Sequence, residues 1–342
     1  MKNISSLLFI CLVTIASKAT VITVSNAPNS PGQYMNLQTA INAAAVGDTI
    51  YVHGSSASYG NINIKKRLTL IGTGHNPAKS NPVVAQIGIL QLDTLSSASG
   101  ASGTKVIGFK LNQLLGYAGT GGTRNVWVAR NYFTASTSVK INVTNSGWTI
   151  ENNIINQNSV VVNNKANTVI RNNIFNASVI SSSNQNTVVI ANNIFLTTTA
   201  SSAFTNVSNA LIANNIFSGA TPHGTNVNAN TFDNNITYQT ANDSIPYGTN
   251  TGNGNFVSQN PMYVNVPSYS FNYSYNYSLD TLSAGHNAGT DGTDIGAYGG
   301  ARPFPDLTGS PAIPQIKNLM ILNPMIPVGD SLRVVIKAKK QN

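Results

Sequence analysis

Apolar positions recur at a fixed interval through the middle of the chain, and an Asn-Asn pair marks each recurrence. The segments TIENNII, VIRNNIF, VIANNIF, LIANNIF and TFDNNIT place the second Asn at Asn153, Asn173, Asn193, Asn215 and Asn235. VARNYF places Asn131 one step earlier, with Arg130 in place of the first Asn. The spacings are 22, 20, 20, 22 and 20 residues. Three residues before each anchor stand Val128, Ile150, Ile170, Ile190, Ile212 and Phe232. One residue after it stand Tyr132, Ile154, Ile174, Ile194, Ile216 and Ile236, followed by Phe133, Ile155, Phe175, Phe195, Phe217 and Thr237. Apolar identity is kept within columns while the linking sequence varies, which is the mark of units that stack.

The apolar runs are short, β-branched and bounded by Asn, Ser, Thr and Gly, so they predict strands. No helical period survives across a repeat, and the leucine pattern of leucine-rich repeats is missing. A parallel β-helix fits, each coil adding one rung of short strands about 4.8 Å from the last. Asn-Asn then has a physical reason. The corner between strands needs a residue that tolerates left-handed backbone. A carboxamide also carries two donors and an acceptor, so stacked Asn131, Asn153, Asn173, Asn193, Asn215 and Asn235 form a hydrogen-bonded ladder.

Around the repeat the pattern changes. NLQTAINAAAVGD has apolar Leu37, Ala40, Ile41 and Ala44 at helical spacing and predicts a helix capping the open end of the solenoid. Early rungs are expected at residues 49–52, 62–71, 83–92 and 105–111, and a last coil at 255–265. The Gly-rich stretches 96–104 and 112–124 read as projecting loops. After Gly300 comes a Pro-rich linker, 301–314. QIKNLMIL and SLRVVIKAK then predict a β-hairpin within 315–342, too small to fold alone and expected to dock on the coils or pair with an edge. A longer, multi-stranded sorting domain is the alternative there.

These segments resemble secreted bacterial right-handed parallel β-helix proteins of the pectate-lyase-like superfamily. LQTAINAAAVGDTIYV is similar to the family's helix-capped opening, RLTLIGTG and KVIGFKL to early coils, and AGTDGTDIGAYGG to a closing segment. With the Asn-Asn coils the likeness covers about residues 23–300. It implies an all-β fold of roughly ten right-handed coils with an N-terminal capping helix and a short C-terminal hairpin. Its motifs are specific for fold and weak for activity.

Residues 1–19 read as a signal peptide: Lys2, an apolar run from Ile4 to Ala16, then small Ser17 and Ala19. The run is shorter than the ~20 residues of a membrane span. Cleavage would remove Cys11, the only cysteine, so neither disulfides nor thiolate metal sites are expected in the mature domain at 20–300. Charged residues make up only 8% of the chain, with Glu151 the single Glu, and polarity comes from Asn, Ser and Thr. The net charge is +9, two less once Lys2 and Lys18 leave. An exported cationic monomer points to acidic polysaccharide or the cell envelope as partner. Nucleic acid is disfavoured, since no basic run or recognition motif is present.

Candidate chemistry is sparse. Hydrolysis needs paired carboxylates. Glu151 and Asp233 share a column but lie four coils apart, about 19 Å at one strand spacing per coil. The Asp-Asp pairs and Gly-His-Gly motif that the resemblance would require of a galacturonase are missing. A lyase needs a base and a cation facing a uronate carboxylate. The resemblance implies Ca²⁺ held by several acids with Arg or Lys as base, and only Asp291 and Asp294 stand close together, where turn formation is the alternative to Ca²⁺ binding. Otherwise no cofactor is expected. In the column two before the anchor, Glu151 and Arg171 are neighbours, with Arg130 nearby. They are either a surface ion pair or an arginine platform for a uronate. His53, His75, His223 and His286 read as loop residues, and YSFNYSYNYS (269–278) as an edge strand or a sugar-stacking strip. Asn142-Val143-Thr144 matches a glycosylation sequon. The expectation is an exported, non-catalytic β-helix that binds or organises extracellular polysaccharide. The alternatives are a uronate polysaccharide lyase and a structural surface adhesin or spacer.

Overall fold

Left-handed corners set the shape of the molecule. In the computed structural model, residues 19–28, 32–78, 83–93, 100–117, 119, 121–136, 138–163, 167–183, 187–305 and 307–339 are described. Residues 1–18 of the expected leader, Cys11 among them, residues 96–99 of the Gly-rich stretch at 96–104, and Lys340 lie outside them.

Two parallel sheets of ten and eleven strands wind together as a parallel β-helix. The first sheet runs from Val21–Val24 and Thr49–Val52 through Trp127–Ala129, Thr149–Glu151 and Val169–Arg171 to Thr231–Asp233. Its register holds each repeat column in line, as in Ile150↔Ile170, Ile170↔Ile190 and Ile190↔Ile212. The second sheet starts one residue after each anchor Asn. Its long strands Ile154–Asn163 and Ile174–Ser183 bend midway, where Gln157, Asn158 and Ala177 have φ of 61°, 60° and 48°.

The corner between the sheets is a column of left-handed residues: Gly108, Arg130, Asn152, Asn172, Asn192, Asn214 and Asn234, with φ between 51° and 79°. Asn is the residue that adopts this conformation most readily after Gly. The second Asn of each pair turns inward. Asn173 Nδ2 donates to Asn193 Oδ1 at 3.0 Å and to the Ile150 carbonyl at 2.9 Å, and its backbone N–H also donates to Asn193 Oδ1. The same pattern runs from Asn131 to Asn235 and one rung further, to Asn255. Asn230 and Asn250 repeat it as a shorter ladder at another corner.

Two apolar cores result. Inside the coils lie Ile150, Ile170, Ile190 and a stack of Phe175, Phe195 and Phe217, with ring centroids 4.6 and 5.0 Å apart. The adjacent column, Ile154, Ile174, Ile194, Ile216 and Ile236, packs in a separate outer core with Tyr277, Leu279, Ile295, Ala297 and Phe304. Successive strand residues point to opposite faces, so the Ile-Phe pair serves both cores.

The cover over the outer core is a strap, residues 263–311, that runs back along the coils. It begins as an antiparallel pair, Tyr263–Asn265 with Asn276–Leu279. The first Asn of each pair then clasps it. Asn234 donates to the Ala288 carbonyl, Asn214 to Thr290 Oγ1, Asn172 to the carbonyls of Ala297 and Gly299, and Asn152 to that of Arg302. Arg130 donates to the Ser310 carbonyl, and the Thr308 carbonyl accepts the N–H groups of His75 and Asn76.

Several expectations change. The capping helix is Leu37–Ala43, with Asn36 as N-cap accepting from Thr39 N–H. The stretch expected as a loop from 112 is a strand to Leu115, because buried Leu114 fills the coil interior and pairs with Ile141. The segment expected as a linker after Gly300 is docked, with Phe304 buried in the outer core. Of the strip at 269–278, Asn276 onward is a strand in a two-stranded pair, while 269–275 runs through bends and turns with its rings packed against the outer core. His75 is a loop residue, as read, but one enclosed by the strap. It is buried, with Nδ1 3.0 Å from Tyr273 Oη and its ring beside Tyr132. The hairpin, Gln315–Ile321 with Val334–Lys339, pairs with itself rather than with a coil edge. Among the described residues it leaves Leu319, Met320, Ile321, Val335 and Ile336 exposed. Among the described residues no helix is long and apolar enough to cross a membrane.

Candidate functional site

Two neighbouring outward columns of the first sheet gather the polar chemistry of the repeat. Parallel register puts Lys105 beside Trp127, and Glu151 between Ala129 and Arg171. The side chains lean toward one another across these coils. Lys105 Nζ lies 5.4 Å over the Trp127 ring. Trp127 Nε1 donates to Glu151 Oε1 at 2.8 Å. Arg171 Nε and Nη2 both donate to Glu151 Oε2, at 2.9 and 2.8 Å. Lys105, Trp127, Glu151 and Arg171 thus form one connected row across four successive strands.

The row is held from its centre. The Glu151 side chain is 3% exposed, whereas that of Arg171 is 33% exposed. Both carboxylate oxygens have partners, so the buried charge is satisfied, as burial requires. The exposed third of the arginine lowers the worth of the pair toward the ~1 kcal/mol of a surface bridge. Fixing the indole is the clearer effect. Trp127 is anchored at its nitrogen, covered on one side by an ammonium and half-exposed otherwise. Thr149 and Val169, which follow Trp127 in its own column, are half-buried.

Of the residues singled out by sequence, Glu151 and Arg171 pair through their side chains, while the Arg130 N–H donates to the Glu151 carbonyl at 3.3 Å. Arg130 occupies the corner, where its guanidinium donates to the strap at Ser310. Asp233 shares the column but is separated by the strands of Arg171, Ala191 and Ala213. One of its oxygens accepts the Asn253 N–H at 2.9 Å. Paired-carboxylate hydrolysis needs separations of about 5–9.5 Å, which this column does not supply. Asp291 Oδ1 accepts the N–H and hydroxyl of Thr293. Asp294 Oδ1 accepts the Asn287 N–H and lies 2.9 Å from His286 Nδ1. Both aspartates therefore shape the strap's turns, and among the described residues no group of three or more His, Cys, Asp or Glu side chains is placed to hold a metal ion. The sequon residue Asn142 lies within a strand paired on both sides.

Sequence reading missed Lys105 and Trp127. The column four before the anchor reads Trp127, Thr149, Val169, Val189, Leu211 and Thr231. One indole in an outward column of aliphatic and threonine residues, one coil from the only glutamate, was the available signal.

No family model matches the chain. A curated protein similar to part of it is the F-box protein SKIP5 of Arabidopsis thaliana, 39% identical over 70 residues. That stretch is 20% of this chain and 26% of the plant protein, so the chain spans about a quarter of the relative's length.

Proposed function

We propose that the protein is an exported, non-catalytic β-helix that binds acidic polysaccharide across the outward face of its first sheet. The observation that carries this reading is the Lys105–Trp127–Glu151–Arg171 row. A half-exposed indole offers an apolar face for a sugar ring, and the flanking Lys and Arg offer donors for its carboxylate. Glu151 is unsuited to proton transfer with substrate, because both of its oxygens are engaged and it is covered. It acts as the positioning residue that keeps indole and guanidinium in one plane of contact.

The reading predicts saturable binding of the protein to polygalacturonate, alginate or a sulfated glycosaminoglycan in affinity electrophoresis. Binding should weaken as salt rises. Trp127→Ala should weaken it about tenfold, some 1.4 kcal/mol, with smaller losses for Lys105→Gln and Arg171→Gln. Ultraviolet absorbance should show no unsaturated uronate product. Retention of none of these polymers, or depolymerisation that disappears in the Arg171 variant, would overturn it.

A further inference from the structure

Elsewhere on the molecule a cavity of about 250 Å³ opens where the repeat period breaks. In the strand Ile194–Ser202, Leu196 pairs with Gly219 but the next paired residue is Ser201, opposite Ala220. Thr197, Thr198, Thr199 and Ala200 are therefore extruded from the ladder and form one wall. The bulge is closed internally, as Thr197 Oγ1 accepts the Thr199 N–H at 3.2 Å and lies 3.0 Å from the Thr199 carbonyl. A loop two coils further on forms the second wall, with Gln239 at φ 52°. Asp243 fixes that loop by accepting the Gln239 and Thr240 N–H groups, and its own N–H donates to Thr240 Oγ1 at 2.8 Å. Tyr269, from the strap, is the third side, held edge-on by Tyr238 at 6.4 Å.

Three segments far apart in sequence thus converge on one concavity. Its volume falls just under the ~300–1,000 Å³ of sites for drug-sized ligands, so it suits a single small ring. Among the described residues, the Thr198 hydroxyl, the Gln239 carboxamide and the Tyr269 hydroxyl form no hydrogen bond within the chain, leaving donors and acceptors for a ligand. No lining residue carries a charge. Asp243, just behind the wall, repels anions, and it adds to the burial that pushes the Tyr269 phenol up to about 12.

The geometry points to a second carbohydrate site, in which Thr198, Gln239 and Tyr269 take one neutral hexose or pentose unit. The aromatic ring faces the sugar's apolar side, and the carboxamide bridges neighbouring hydroxyls. The site differs from the first-sheet face in position and in charge preference, and it does not depend on that face.

The test titrates the intact protein with neutral gluco-, manno-, galacto- and xylo-oligosaccharides and with oligogalacturonate, by calorimetry and by chemical-shift mapping. At least one neutral series should bind, with Gln239→Ala and Tyr269→Ala each weakening it about tenfold and Trp127→Ala leaving it unchanged. Tyr269→Phe keeps the packing and should lose only about threefold, separating ligand contact from strap stability. Absence of saturable neutral-sugar binding overturns the inference, as does binding indifferent to Gln239 and Tyr269. If Trp127-dependent binding of acidic polymer persists in either case, the first-sheet reading stands alone. If only the neutral sugars bind, the pocket stands alone.

Discussion

Asn172 and Asn173 are consecutive, yet they serve opposite sides of the coil wall. Asn173 hydrogen-bonds Asn193 inside the stack, and Asn172 donates outward to the strap carbonyls of Ala297 and Gly299 at 2.9 and 2.7 Å. The doubled letter in the sequence is two devices, an axial ladder and a lateral clasp.

The ladder should therefore fail more severely than the clasp. Asn173→Ala strands the Asn153 N–H, takes one acceptor from the Asn153 carboxamide, which keeps the Val128 and Glu151 carbonyls, and removes the donor to the Ile150 carbonyl. Buried groups left unpaired cost about 1–3 kcal/mol each. A loss on the order of 3 kcal/mol in chemical denaturation is expected, with sugar binding at the exposed sites retained in the folded fraction.

Substitution of Asn172 separates backbone strain from clasping. Asn172→Gly keeps the left-handed corner and loses only the two hydrogen bonds to the strap, about 1–2 kcal/mol. Asn172→Ala adds the left-handed cost of about 1 kcal/mol. Hydrogen exchange should show faster exchange at Gly296 and Gly299 in both variants, with the coil amides near Ile170 little changed.

Alkali should release the strap before it unwinds the coils. Burial raises the phenols of Tyr263, Tyr273 and Tyr277 as well as that of Tyr269. Unfolded tyrosines ionise near pH 10, while these keep their protons in the folded state. The folded state then binds more protons, so the contribution is complete below about pH 10 and falls as pH rises beyond it. Phenolate absorbance and near-ultraviolet dichroism should change together above about pH 10, ahead of the far-ultraviolet β signal. Simultaneous loss of both signals would count against a separable strap.

Lys140 acts with the opposite sign. It is fully buried at the edge of a strand, with its ammonium on the Ser136 carbonyl and hydroxyl, and burial lowers its pKa. A lysine depressed in the folded state lowers stability while it is charged, and this cost is relieved as pH rises toward the ordinary value near 10.4. Lys140→Met, close in volume and uncharged, should raise the thermal midpoint at neutral pH and flatten that alkaline limb.

The axial architecture was legible because its signals are local and periodic. Ile170 and Phe175 return every coil, and the helix residues Leu37, Ala40 and Ile41 are buried as their spacing implies. The lateral structure was not, because its partners are distant and aperiodic. Arg130 looked available beside Glu151, but the carbonyl its guanidinium engages lies 180 residues further on. Ile174 stood in an apolar column like that of Ile170, although it faces outward into the core that the strap covers. The Tyr269 cavity follows from a four-residue slip in pairing, which a 22-residue spacing hints at without locating.

The strap's direction has a mechanical consequence. From Ala288, beside Asn234 at the last coils, it runs back to Thr308, beside His75, near the third strand of the ten-stranded sheet. The hairpin therefore departs from the same end of the rod at which Val21–Val24 begins it. Tension applied between those two points would pass through the proximal coils and the His75 and Arg130 clasps. The distal coils, with the Tyr269 cavity, would bear none of it, so a tethered molecule would present that end to its surroundings as an unstressed tip.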